Sequence, residues 1–268
     1  MKKSLTALAV LGVFAGSAMA ADVTLYGAID TGLEYIHNKT TDFAGDSVKE
    51  DKFDMQNGWD TPSRWGLKGS EDLGNGYKVS FKLESGFSSD DGTMNQSGRL
   101  FGREAGLTLS GPFGSVAFGR FGGISSSAGT YDMLGYVESF DGGDGDVWGF
   151  AASERYDNMV VYQTPRFAGL QLTAQYSFKT DSKQSIKDGD YSGDEGTSDA
   201  QRYASVGLSG EYGPASFAVG YELTKYGVNN GERALDKDGQ LVFVGGNYDL
   251  EVVQLFAEAQ YFKHQTAA

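Results

Sequence analysis

Connections of alternating length constrain the fold of this sequence more than any other feature. Alternation of apolar and polar residues with a period of two predicts about eleven strands, most of them around 10 residues long. In chain order, the connections between them are 37–61, 71–76, 88–98, 110–114, 122–151, 165–169, 180–200, 211–214, 227–238 and 248–250. Long and short connections alternate without exception, which is typical of an up-and-down antiparallel meander. A β-sandwich with Greek-key crossovers has no reason to keep that alternation.

The predicted strands are two-sided. They comprise 23–36, the hairpin 63–87 with a turn at Asn75-Gly76, and 99–110, 113–121, 152–164, 168–179, 201–212, 214–226, 239–248 and 250–263. In the hairpin, Trp65 and Leu67 share one face while Arg64 and Lys68 share the other. Strands of this length can cross a bilayer when tilted, with lipid on the apolar side and water on the charged side. Backbone groups in lipid need internal partners, so we expect an all-β, transmembrane, antiparallel up-and-down β-barrel.

The first twenty residues predict export. Lys2 and Lys3, an apolar run from Leu5 to Phe14 and the small residues around Met19 are typical of a secretory signal peptide, leaving 21–268 as one barrel domain. Removing the peptide lowers Lys plus Arg from 22 to 20 against 36 acidic residues, so the net charge goes from −14 to −16. Such acidity argues against a nucleic-acid partner. With no Cys in the chain, disulfides, thiol catalysis and Cys-based metal sites are excluded.

Catalytic and cofactor signatures are missing from the sequence. The two His, His37 and His264, have no partner at the spacing of a triad or a metal site. The acidic run 141–146 does not have the spacing of an EF-hand, so an acidic loop is favoured over a calcium site. The acidic stretch 187–199 is interpreted as a solvated loop rather than as a cation bridge to lipopolysaccharide. The sequence therefore predicts no enzyme, no cofactor and no metal.

Four stretches carry a family resemblance. "VTLYGAIDTGLEY", "SRWGLKGSEDLGNGYKVSFKLESGF", "LFGREAGLTLSGPFGSVAFGRFGG" and "RYDNMVVYQTPRFAGLQLTAQYSF" resemble the general diffusion porins of Gram-negative bacteria, of the beta-proteobacterial and neisserial type. Beyond Phe178 the resemblance is one of pattern only. It implies an outer-membrane homotrimer of barrels with about sixteen strands each, passing small hydrophilic solutes and ions. Its partners would be outer-membrane lipid and lipopolysaccharide.

The resemblance also implies a pore constriction, in which the third long loop, about 122–151, folds into the barrel. The acidic side chains expected on that loop are Asp132, Glu138, Asp141, Asp144 and Asp146. The basic side chains expected on the facing wall are Arg64, Arg155, Lys68, Lys82 and Arg103. Opposed charges across a constriction would create a transverse field that orients polar solutes and biases ion choice.

Side-chain parity agrees with only part of this assignment. Arg64 and Arg155 fall on the polar face, whereas Arg103 falls with Ala105 and Leu107 on the lipid face unless a bulge intervenes. Arg120 also has apolar parity, which predicts a contact between subunits.

The predicted strand count differs from that of a closed bacterial barrel. Eleven is an odd number, and closed bacterial barrels have even numbers, so we expect the sequence to lack the last strands of a barrel. The alternatives to a general porin are a channel selective for one substrate, such as a sugar or a dicarboxylate, and a structural outer-membrane protein or surface adhesin without an open pore.

Overall fold

The described part of the chain is almost entirely antiparallel strand. The structure, a computed structural model, describes residues 22–41, 43, 45–58, 61–126, 129–133, 154–183, 193–229, 231–233 and 235–264. The strands are β1 (Asp22–Ala28), β2 (Thr31–Thr41), β3 (Ser47–Asn57), β4 (Arg64–Gly74), β5 (Tyr77–Gly86), β6 (Glu104–Gly111), β7 (Gly114–Gly122), β8 (Arg155–Gln163), β9 (Leu170–Ser177), β10 (Arg202–Tyr212), β11 (Ala215–Lys225), β12 (Val228–Asn229), β13 (Glu232–Arg233), β14 (Gly239–Asp249) and β15 (Gln254–Lys263). One helical turn, α1 (Asn95–Gly98), precedes β6.

The main sheet is the predicted meander. Within the described ranges it has eleven strands in the order β1-β4-β5-β6-β7-β8-β9-β10-β11-β14-β15, each antiparallel to its neighbours. The turn at Asn75-Gly76 joins β4 to β5, with φ of 53° and 79° at its two residues. Positive φ at both central positions is the requirement of a type I′ hairpin turn, which Asn-Gly satisfies. Both the meander and this turn are confirmed.

The predicted strand 23–36 is wrong in its second half. β1 ends at Ala28, and β2 pairs with β3 in a separate hairpin. The strand is interrupted by a group of hydrogen bonds at Asp30. The Asp30 carbonyl accepts hydrogen bonds from the hydroxyls of Ser63 and Ser89 at 3.1 and 2.9 Å. The Asp30 carboxylate also accepts the Thr61 amide at 2.9 Å. The alternation runs on past this break because an exposed hairpin is also two-sided.

The two faces of the sheet differ in the way a membrane wall requires. Large apolar side chains are exposed on the outward face of most long strands of the main sheet, and examples are Leu25, Leu107, Phe118, Leu172, Val206, Val219, Val244 and Tyr261. Leu107 alone exposes 52% of its surface. Polar side chains are buried on the inward face, among them Glu84, Glu104, Thr173, Gln175, Ser205 and Glu222. This arrangement is the reverse of a soluble sheet and matches an apolar band around a polar interior.

Helices contribute nothing to membrane crossing in the part of the chain described here. No helix within those ranges is long and apolar enough to span a bilayer.

The segment after β7 packs against the inward face. Ile124 and Met133 form a buried cluster with Ala218 and Phe243. Tyr131 joins a second cluster, whose members from the strands are Ala117, Phe121, Met159, Val161 and Tyr203. Residues 124–133, as far as they are described, therefore lie inside the curve of the sheet. We call them the inward segment.

Candidate functional site

A row of charged side chains crosses the inward face from β4 to β6. The Lys82 ammonium forms an ion pair with Glu104 and lies 3.6 Å from the Glu84 carboxylate. Tyr26 of β1 donates its hydroxyl to that same Glu84 oxygen, Oε2, at 2.8 Å. Lys68 holds its ammonium 5.3 Å from the centre of the Tyr26 ring, within the range of a cation–π contact. Two predicted wall residues, Lys68 and Lys82, are therefore neighbours in this row.

Arg103 belongs to the same row, so the parity that placed it towards lipid is wrong. Its Nε donates to Glu84 Oε1 at 2.6 Å, and both side chains are almost fully buried. Arg103 lies just before β6, where its amide donates to the Glu84 carbonyl at 3.1 Å. Glu104, the next residue, also pairs with Glu84 in the sheet register. Because the regular strand begins only at Glu104, the period of two does not extend back to Arg103.

Arg120 lies at a bulge between β7 and β8. Gly119 pairs with Met159 and Phe121 pairs with Tyr156, so the register shifts between these pairs. The Arg120 guanidinium donates to the Asp157 carboxylate at 2.5 Å, and its Nε donates to the Gly102 carbonyl at 2.8 Å. The predicted contact of Arg120 with another subunit stays a prediction. Its charge is already paired within the chain.

Asp157 connects Arg120 to two long connections. Arg99 lies 3.4 Å from the second oxygen of Asp157 and also pairs with Asp181. That same oxygen accepts the Ser182 amide at 2.8 Å. Arg99, Arg120, Asp157 and Asp181 form what we call the rim cluster. It ties the connections that follow β5 and β9 to the wall formed by β7 and β8.

Arg64 and Arg155 stand at strand ends that follow long connections. Arg64 donates to the Thr61 hydroxyl at 2.8 Å and to the Pro62 carbonyl at 3.0 Å, both neutral oxygens. The Nε of Arg155 is buried without a hydrogen-bond partner among the described residues. Arg155 interacts electrostatically with the cations Arg103 and Arg120 and with the carboxylates Glu104 and Glu84. Arg64 begins β4 and Arg155 begins β8, and these two strands run in the same direction in the antiparallel sheet, so Arg64 and Arg155 lie at the same end of it.

Two inward carboxylates bind the inward segment, and the sequence did not single them out for that role. Glu104 accepts the amide of Thr130 at 2.6 Å and its hydroxyl at 2.9 Å. Glu222 on β11 accepts the Ser125 amide at 3.0 Å and the Tyr203 hydroxyl at 2.9 Å. A usable signal was their position, since each is an acid at inward parity within an otherwise ordinary strand.

Tyr131 adds an uncharged contact to the segment. Burial raises the pKa of its phenol, which also hydrogen bonds to the Thr108 side chain on β6. The hydroxyl is therefore neutral at physiological pH, and the contact brings no charge into the interior.

Most of the predicted acidic set cannot be placed. Asp132 lies in the inward segment, whereas Glu138, Asp141, Asp144 and Asp146 lie outside the described residues, as does the predicted signal peptide. Across the ranges that the structure covers, no three His, Cys, Asp or Glu side chains come together as metal ligands.

Comparisons with known proteins agree with this geometry. A family model described as Gram-negative porin matches residues 6–268. An outer membrane porin protein of Bordetella pertussis is 39% identical over 270 residues, covering 95% of this chain and 68% of the relative. Outer membrane porin protein 32 of Delftia acidovorans is 36% identical over 276 residues, covering 98% of this chain and 70% of the relative. The solved anion-selective porin from Comamonas acidovorans has a TM-score of 0.61 and 30% identity, covering 90% of this chain and 68% of that one.

Proposed function

Because this chain belongs to the Gram-negative porin family, we propose that its pore prefers anions and that the predicted charged residues set this preference. As a porin of the outer membrane, the protein forms a water-filled channel for passive diffusion of small hydrophilic solutes and ions. Selectivity is a separate property, because it is decided by the charges at the narrowest part of the passage and not by the total charge of the chain.

The observation that carries the proposal is the balance of charge on the inward row. Glu84 is compensated by Arg103, and Glu104 by Lys82. The hydrogen bonds of Arg64 described above go to the Thr61 hydroxyl and the Pro62 carbonyl, which carry no charge. The ammonium of Lys68 lies over the Tyr26 ring, which is also uncharged. The basic side chains of this wall thus exceed its acids. The anion-selective title of the Comamonas acidovorans porin supports the same preference.

We assign the opposite wall of the constriction to the acidic set of the third long loop, namely Asp132, Glu138, Asp141, Asp144 and Asp146. Facing the basic set Arg64, Lys68, Lys82, Arg103 and Arg155, these carboxylates would create a field across the passage and align dipolar solutes.

Neutralising the basic wall is the test of anion preference. The double variant Arg64→Gln and Arg155→Gln is expected to shift the reversal potential in a salt gradient towards cations, since two of the attracting charges are lost. The measurement is the zero-current potential of purified wild type and variant in planar lipid bilayers under asymmetric KCl.

Arg166→Gln is the matched control, because Arg166 lies in the short connection between β8 and β9, at the other end of the sheet. It should leave the reversal potential at the wild-type value. An unchanged potential in the double variant would show that the two arginines are not at the constriction. A cation-selective wild type would refute the anion preference itself.

Assembly and processing complete the proposal. We assign the protein to a homotrimer in contact with outer-membrane lipid and lipopolysaccharide, without catalytic activity, and residues 1–20 to a cleaved signal peptide. The exposed apolar outward face supports contact with lipid or with other subunits. Cross-linking in mild detergent and N-terminal sequencing of the mature protein would test the trimer and the cleavage separately.

A further inference from the structure

Two glycines face each other on the inward side of neighbouring strands. Gly207 on β10 pairs directly with Gly220 on β11. Because neither residue has a side chain, the inward side of the wall has a shallow depression at this pair, which we call the Gly207–Gly220 hollow. The hollow is filled by Met133 and Ile124 of the inward segment together with the ring of Phe243 on β14. A Cβ atom at Gly207 would overlap the sulfur of Met133 and lie 3.2 Å from Ile124 Cδ1. A Cβ atom at Gly220 would overlap the Phe243 ring and lie 2.9 Å from that same methyl carbon of Ile124. Side chains at these positions are therefore incompatible with the present place of the segment.

Polar contacts hold the same part of the segment. Glu222 lies two residues from Gly220 on the same face and exposes only 2% of its surface. Its carboxylate accepts the Ser125 amide, next to Ile124, at 3.0 Å. The Ile124 amide in turn donates to the Tyr203 hydroxyl at 3.3 Å. Ile124 and Ser125 are thus held in two ways, by apolar contacts of the Ile124 side chain and by hydrogen bonds from both backbone amides.

The segment is closed on itself at this point. The Met133 amide donates to the Ile124 carbonyl at 2.9 Å, which joins the two residues of the segment that lie in the hollow. Between them, Thr130 reaches β6 through its two bonds to Glu104. The turn therefore spans the interior, from β10 and β11 on one side to β6 on the other. A chain held at both ends of its span has little freedom to move out of the passage.

We propose that the Gly207–Gly220 hollow, together with Glu222, is the positioning site that holds the inward segment across the pore and thereby sets the size of the aqueous passage. This rests on the channel function proposed above. Gly207 and Gly220 act by having no side chain, and Glu222 acts by accepting a backbone amide. None of the three needs to touch the permeating solute.

Filling the hollow is the direct test. The variant Gly207→Leu is expected to displace Met133 and Ile124, to raise open-channel current noise and to admit larger polyethylene glycols than wild type. Gly32→Leu is the matched control, because a Cβ at Gly32 meets nothing within 4 Å on the exposed hairpin. It should keep the wild-type polymer cut-off. An unchanged cut-off and noise in Gly207→Leu would overturn the proposal.

Variants of Glu222 separate positioning from charge. Glu222→Leu removes the acceptor and should widen the cut-off, whereas Glu222→Gln keeps an oxygen for the Ser125 amide and should retain the wild-type cut-off. Equal widening in both variants would mean that the charge matters and the positioning role is wrong.

A cysteine pair covers the case in which Gly207→Leu does not fold. The chain has no Cys, so an introduced pair gives no background. Met133→Cys removes the sulfur and methyl atoms that a Cβ at Gly207 would overlap, so Met133→Cys with Gly207→Cys should form a disulfide on mild oxidation in membranes. Met133→Cys with Ser80→Cys on β5 should not. Failure of the first pair to link would refute the docking of Met133 on Gly207. Absence of any channel in wild type would instead refute the proposed function.

Discussion

Replacing Asp157 by alanine is expected to lower the free energy of unfolding of the folded protein by about 3–5 kcal/mol, the cost of breaking a buried ion pair. The Asp157 carboxylate binds Arg120 at 2.5 Å and Arg99 at 3.4 Å, and each of these side chains exposes no more than 13% of its surface. Its removal leaves the Arg120 guanidinium without a carboxylate in a largely dry site, and Arg99 keeps only its pair with Asp181. The measurement is urea-induced unfolding of the refolded protein in lipid vesicles, followed by tryptophan fluorescence.

The matched control is Glu211→Ala. Glu211 lies 3.3 Å from Arg166 in an exposed pair, with 52% of the Glu211 side chain accessible. Exposed pairs contribute about 0–1 kcal/mol, so this variant should unfold close to wild type. Equal destabilisation by the two variants would contradict the view that the rim cluster is a buried network.

An arginine at Leu107 is expected to destabilise the folded protein by about 2–4 kcal/mol, the cost of a cation on the lipid face near the middle of the bilayer. Leu107 is the fourth residue of β6 and exposes 52% of its surface on the outward side. The charge would have no water and no partner in hydrocarbon. The change in free energy follows from equilibrium folding into vesicles over a range of urea concentrations.

Ser80→Arg on β5 is the corresponding change on the other face. Ser80 pairs with Thr108, the residue after Leu107, and shares the inward parity of Lys78 and Lys82. A cation there would remain in water, and we expect a much smaller loss of stability. If Ser80→Arg were the more damaging of the two, the assignment of lipid and water to the two faces would be reversed.

Prediction from the sequence succeeded where the chain repeats a simple pattern. The antiparallel meander, the turn at Asn75-Gly76 and the two faces of the hairpin 63–87 follow from a period of two and from local turn chemistry. These features depend on neighbouring residues along one strand, or on two adjacent strands joined by a short turn. No distant part of the chain has to be known to derive them.

Prediction failed where the period is interrupted. Parity placed Arg103 towards lipid because it assumes that the strand extends back beyond Glu104. It joined 23–36 into one strand because the bonds that stop β1 come from Ser63 and Ser89, far along the chain. An interruption of one residue reverses the face of every side chain beyond it, so parity cannot pass a break that the sequence does not announce.

The sequence by itself determined the class of the molecule: a meander of amphipathic strands long enough to cross a bilayer, with an apolar and a charged face. Only the tertiary structure decided which charges neutralise one another and where the inward segment docks. Glu222 meets Ser125 across 97 residues of chain, and the Gly207–Gly220 hollow exists only once β10 and β11 are paired in register. The physical reason is that alternation is a local property of the backbone, whereas ion pairs and docking sites depend on side chains that the folded chain brings together from distant positions.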